Sequence, residues 1–111
     1  MGKRYPLEGQ VLAVVDTGYE GFIALPGDVF ASLSLNELQP ERRRLVLANG
    51  SILSAEGAYG AFEAPDIGLH SDGVIETYEG IEEVILGVEA LSRAKVLLDY
   101  CDRRMTVESC P

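Results

Sequence analysis

The sequence predicts an all-β domain, a small closed β-barrel with one or two short helices. Short apolar runs, roughly four to eight of them, recur along the chain with Gly, Pro, Asn or Asp between them, the pattern of strands joined by tight turns. Glycine is abundant at 12 of 111 residues, while aromatic residues make up 7% and tryptophan is absent. A chain of this length buries one core and it carries no internal repeat, so residues 1–111 read as a single domain.

The first strand signal spans residues 7–15, one or two strands with a turn near Glu8-Gly9. Its second half, Val11-Leu12-Ala13-Val14-Val15, is continuously apolar and largely β-branched, as a strand buried on both faces is. Phe22-Ile23-Ala24-Leu25 makes a short strand closed by Pro26-Gly27. After Asp28, the spacing of Val29, Phe30 and Leu33 predicts a short amphipathic helix, limited in length by Gly27 and Ser34. Leu45-Val46-Leu47-Ala48 leads into Asn49-Gly50, the strongest two-residue hairpin signal in the chain, and Ser51-Ile52-Leu53 leads out. Residues 58–64 and 74–78 read as further strands. Val84-Ile85-Leu86 is a strand that stops at Gly87, Val88-Glu89-Ala90-Leu91-Ser92-Arg93 has helical spacing, and Lys95-Val96-Leu97-Leu98-Asp99-Tyr100 is a last strand.

Charge and composition exclude several functions. Eighteen acidic and nine basic side chains give a net charge of −9, the wrong sign for a general nucleic-acid partner. The one basic cluster, Arg42-Arg43-Arg44 after Pro40-Glu41, reads as a solvated loop end. No run approaches the ~18 apolar residues of a membrane span, and no signal-peptide core opens the chain. Met1-Gly2 begins like a myristoylation site, but Pro6 stands where Ser or Thr is required. The expectation is a soluble, cytoplasmic protein that engages neither membrane nor nucleic acid. A single histidine and two cysteines are too few for a metal site, and no cofactor motif is present. Cys101 and Cys110 are expected as free thiols, although a bridge is open to them if the segment between forms a hairpin. His70-Ser71-Asp72 has the letters of a triad without its geometry, since neighbouring residues cannot make the successive hydrogen bonds; with Gly73 it reads as a turn.

One stretch points to chemistry. In Val14-Val15-Asp16-Thr17-Gly18 a buried strand delivers a carboxylate to the head of a turn, and an ionisable group so placed is a candidate working group. Thr17 adds a hydroxyl, and Gly18 lets the backbone turn sharply and approach a neighbour closely. A surface turn uses the same residues, so the tripeptide needs support from elsewhere.

That support comes from the other end of the chain. Asp16-Thr17-Gly18, with the strand Ile85-Leu86-Gly87 and the short segment after it, resembles the retropepsin-like aspartic proteases at their two most diagnostic places, over roughly residues 11–107. The resemblance implies a closed barrel of the retropepsin type. It makes Asp16 the catalytic carboxylate, with Thr17 locking two active-site loops across a dimer and the Gly18 amide holding the carboxylates coplanar. Ile85, Leu86 and Gly87 support the loop from beneath, and Asn49, Gly50 and Ser51 form the candidate flap, with Gly57-Ala58-Tyr59-Gly60 as a second possible tip. Pepsin-like enzymes carry two such motifs; one short chain with a single Asp-Thr-Gly has to form a homodimer. One residue departs from the family, which usually has a small side chain where this chain has Tyr19, and a phenol there is expected to crowd the floor of the cleft or point along it.

Three functions follow as expectations. The first is a homodimeric aspartic endopeptidase acting on peptide or protein, in which two Asp16 carboxylates share a proton and activate a water, with no cofactor and no metal. The second is a retropepsin-like domain with little or no catalysis, retained for dimerisation or peptide binding. The third is an unrelated small β-barrel binding module whose Asp-Thr-Gly is a turn.

Overall fold

The computed structural model describes residues 3–6, 10–33, 35, 41–46 and 49–110, with backbone alone at 41, 43 and 45. The turn expected near Glu8-Gly9, the end of the 45–48 strand and Ser34 lie outside the described residues. The described fold is mostly β. Its elements are β1 (Ala13–Val15), β2 (Ile23–Ala24), the helix α1 (Gly27–Ser32), β3 (Glu41–Val46), β4 (Ile52–Ala64), a 3₁₀ turn (Pro65–Ile67), β5 (Leu69–Thr77), β6 (Val84–Leu86), β7 (Ala94–Asp99) and β8 (Arg104–Ser109).

Six strands form one sheet in the order β1-β6-β2-β5-β4-β3, and β7 and β8 form a separate pair. The expected closed barrel is therefore not what the described residues build. Closure gives every strand two hydrogen-bonded neighbours. Here β1 pairs with β6 alone, β3 pairs with β4 alone, and the last two strands bond to each other.

The centre of the sheet is the long β4–β5 hairpin, paired from Glu56 with Thr77 to Ala64 with Leu69. It turns at Pro65, whose fixed φ suits a helical first position, and leaves through Gly68 at φ 67°, a left-handed conformation that glycine adopts at little cost. His70, Ser71, Asp72 and Gly73 lie within β5 rather than in the expected turn. Gly73 is needed there because a Cβ would sit 2.6 Å from Cγ of Phe22, which packs flat on the strand. Residues 57–60 lie in the middle of β4, so Gly57-Ala58-Tyr59-Gly60 is no hairpin tip. Arg42 and Arg44 are exposed on β3 rather than at a loop end.

Among the described residues, Phe22 and Phe30 are the largest fully buried side chains. Around them pack Ile23, Leu25, Ala58, Ile75 and Ala90, and burial of each large side chain contributes roughly 1.5–3 kcal/mol. α1 delivers Phe30 to this core as its spacing predicts. The 88–93 segment is not a helix. Its bonds run from Leu91 N–H to the Val88 carbonyl and from Ala94 N–H to the Leu91 carbonyl, three residues back each time, as in successive turns.

In the β7–β8 pair, directly opposed residues share a face. Ala94 with Ser109, Val96 with Val107 and Leu98 with Met105 make one face; Lys95 with Glu108, Leu97 with Thr106 and Asp99 with Arg104 make the other. The apolar face is half-buried at Val96 and Val107 and open to water at Leu98 and Met105. Cys101 sits in the connecting turn and Cys110 just past the far end of β8. A six-residue strand of roughly 20 Å separates the two exposed thiols, which are free.

Candidate active site

Asp16 stands one residue beyond β1, and its N–H donates to the Leu86 carbonyl at 3.0 Å, so the pairing of β1 with β6 runs into the first residue of the motif. The turn then closes on itself. Gly18 N–H donates to Asp16 Oδ1 at 2.9 Å and Tyr19 N–H to the Asp16 carbonyl at 3.1 Å, the local bonding that makes Asp a turn former. Asp16, Thr17 and Gly18 are all exposed. The carboxylate is thus fixed at its base and open to solvent at its working end.

β6 lies between β1 and β2, parallel to the first and antiparallel to the second. Ile85 and Leu86 are half-buried and Gly87 is buried at the strand's end. Gly87 N–H donates to the Phe22 carbonyl at 2.8 Å, Val88 N–H to the Tyr19 carbonyl at 2.9 Å and Glu89 N–H to the Gly21 carbonyl at 3.1 Å. The Asp16 motif and the Ile85-Leu86-Gly87 motif, 65 and more residues apart in the chain, are one hydrogen-bonded unit. Only glycine fits at 87, where a Cβ would collide with the Gly21 carbonyl oxygen and lie 2.6 Å from Tyr19 Cδ2.

Tyr19 does not point into a cleft. Its ring runs beneath the turn, beside Gly21 and Gly87, and its hydroxyl donates to Oε1 of Glu76, a side chain 2% exposed on β5. Two residues on, Tyr78 lies where burial, and then the charges of Asp16 and Glu76, push its phenol above the ordinary value. At neutral pH that phenol is an O–H donor near the Asp16 carboxylate. Tyr78 also borders a groove of about 490 Å³ between α1, β4 and the turn after β5, with Phe30, Ser54, Glu56 and Ile81 among its walls.

Asn49, Gly50 and Ser51 form the turn between β3 and β4. Val46 pairs with Ile52, which leaves residues 47–51 between the strands, so this is not the two-residue hairpin the dipeptide predicts. Asn49 Oδ1 takes the Ser51 N–H at 2.9 Å and the Ser51 hydroxyl at 2.6 Å, and Gly50 adopts φ 86°. No described hydrogen bond joins this turn to the Asp16 loop. β3 is the sheet edge opposite β1, and the hairpin reaches the groove through Ser54 and Glu56 of its stem. His70 pairs with Glu63 at 3.2 Å on the exposed face of the β4–β5 hairpin and takes no part in the site. Among the described residues, no three His, Cys, Asp or Glu side chains converge to hold a metal. No helix of the described residues is long and apolar enough to cross a membrane.

Over 107 residues the chain is 41% identical to an uncharacterised protein of Archaeoglobus fulgidus, a match spanning 96% of this chain and 84% of that one. The two belong to one family. No family model and no solved structure matches the chain. The sequence reading missed Glu76 and Tyr78. The sequence offers little signal beyond a charge directly after Val74-Ile75; in the structure Ile75 and Glu76 are both buried, which breaks the alternation of a half-exposed strand.

Proposed function

We propose that this protein is an aspartic endopeptidase of the retropepsin type, working as a cytoplasmic homodimer on peptide segments and needing no cofactor. The observation that carries the reading is the placement of β6 between β1 and β2. Residues from the far end of the chain sit between the strands that enter and leave the Asp16 turn, where the resemblance calls for a hydrophobic strand ending in glycine. The open sheet is then one half of a two-fold assembly. Exposed free thiols at Cys101 and Cys110 suit a reducing compartment.

In the dimer, two Asp16 carboxylates within a few ångströms cannot both ionise cheaply and share one proton. The ionised member takes a proton from a water lodged between them while the protonated member donates to the scissile carbonyl. The groove beside Tyr78 falls within the size of small-ligand sites and gives an extended peptide somewhere to lie. The non-catalytic alternative drew on the phenol of Tyr19 and on the long gap between the two motifs. With Tyr19 turned towards Glu76, the first of these is gone, which favours the catalytic reading.

A second copy also explains the C-terminal hairpin. An isolated two-stranded sheet is marginal in water, yet this one exposes Leu97 by 63% and Leu98 by 55%. Two β7 strands run antiparallel about an axis at Leu97 set Lys95 against the partner's Asp99 and Val96 against the partner's Leu98. Charge and shape both match under that symmetry.

Peptide mixtures incubated with the protein and with Asp16→Asn test the reading. The parent cleaves best on the acid side of neutrality, with activity falling on both sides because only the singly protonated pair works. Asp16→Asn loses cleavage by about a thousandfold and remains dimeric. Equal activity in the two, or loss of activity to a chelator or a thiol reagent, sinks the proposal.

A further inference from the structure

We infer that Tyr19, anchored on the buried carboxylate of Glu76, is the positioning residue of the Asp16 loop; the inference rests on the endopeptidase reading. The loop itself is exposed across Asp16, Thr17 and Gly18, so packing does little to hold it. What holds it begins at the next residue. Tyr19 closes the turn through its own N–H, accepts the Val88 N–H at its carbonyl, and sends its ring under the loop to Glu76. One residue thus joins the Asp16 turn to the end of β6 and to the middle of the sheet.

Two glycines make room for this. A Cβ at Gly21 would lie 2.5 Å from the Tyr19 hydroxyl and 2.6 Å from Cζ, and one at Gly87 would lie 2.6 Å from Cδ2. Each glycine is the shape that lets a tyrosine ring occupy the space beneath the turn. Glu76 is in turn fixed by its backbone, which pairs opposite Ala24 and accepts the Leu25 N–H at 2.9 Å. A polar side chain this deeply buried is costly unless a hydrogen-bond partner meets it. The pair therefore acts as a stiff strut between β5 and the carboxylate-bearing turn. Catalysis by two carboxylates depends on their mutual placement to well under an ångström, which is what such a strut secures.

The test uses the full-length protein as parent, Tyr19→Phe, Glu76→Gln and the double variant, with two independent readouts. The first is peptide cleavage. Tyr19→Phe keeps the ring and loses the donor, so kcat falls about tenfold with KM unchanged. Glu76→Gln still offers an amide oxygen to the phenol and retains most of kcat, and in the double variant the two effects do not add. The second is amide exchange by NMR, which does not need activity. Tyr19→Phe speeds exchange at Val88 and at position 19 about tenfold while the β4–β5 amides keep their protection. Unchanged loop exchange, or acceleration spread evenly over the whole protein, overturns the inference, as does an unchanged kcat. A parent that cleaves nothing while Tyr19→Phe still loosens only the loop refutes the endopeptidase reading and leaves the positioning role standing.

Discussion

The two ends of this molecule are held together in opposite ways. Around Asp16, strands of two and three residues are too short to be stable by pairing alone, and order comes from backbone bonds between residues 16–22 and 86–89. In the β7–β8 hairpin the strands are two to three times as long and regularly paired, yet an apolar face runs out into water. The first region is complete within one chain down to its glycines. The second is paired only along the seam between β7 and β8, with an outer strand edge and apolar side chains left open, so its stability depends on what it meets.

The largest effect expected is at Gly87. Gly87→Ala drives a methyl into the Gly21 carbonyl and the Tyr19 ring and costs about 3 kcal/mol in urea unfolding, with cleavage lost. A variant as stable as the parent breaks the claim that this end is closely fitted. At the hairpin, Leu98→Asp leaves the single chain folded, since Leu98 is already half in water, but weakens dimerisation about a hundredfold by sedimentation. Leu97→Cys in a Cys101→Ser, Cys110→Ser background sharpens the comparison. If β7 meets β7 at that residue, the paired Cα atoms lie about 4.5–5.5 Å apart and a disulfide forms on mild oxidation. Linkage through Thr106→Cys instead places the contact on β8.

Gly27→Ala is the control, because the nearest atom to a Cβ there is Thr77 Oγ1 at 4.0 Å, and unfolding should shift by no more than about 0.5 kcal/mol. The smallest effect is alkaline. The Tyr78 phenol is raised in the folded state, by burial first and by Asp16 and Glu76 next, so the folded protein holds that proton more tightly than the unfolded chain. Its contribution is intact below the ordinary tyrosine value near 10 and is lost as pH climbs above it. Tyr78→Phe flattens that alkaline fall, measured by thermal unfolding across the range.

What could be read from the sequence follows the same division. Asp16-Thr17-Gly18 and Ile85-Leu86-Gly87 were legible because each is a local pattern, an apolar run ending at a residue with a special backbone or charge. The direction of Tyr19 was not, because it depends on two glycines and a glutamate, and both Glu76 and Gly87 lie more than fifty residues away. The turn expected at His70-Ser71-Asp72-Gly73 gave way to β5, where pairing with β4 and the seat for Phe22 outweigh local turn preference. The short helix expected at 88–93 is a run of turns, in which the N–H groups of Leu91, Ser92 and Ala94 reach carbonyls three residues back. The barrel failed for want of any sequence signal that β7 and β8 choose each other.

The position of β6 also sets an order of events. A strand from residues 84–86 must insert between β1 and β2, some sixty to seventy residues upstream, before Asp16 has a frame to stand in. Contacts so distant in sequence form late, after the β4–β5 hairpin has closed the intervening loop. During synthesis the carboxylate emerges about seventy residues ahead of its support. The Asp16 turn is therefore finished only after β6 has been made, and a product truncated before Val84 carries the motif without its setting.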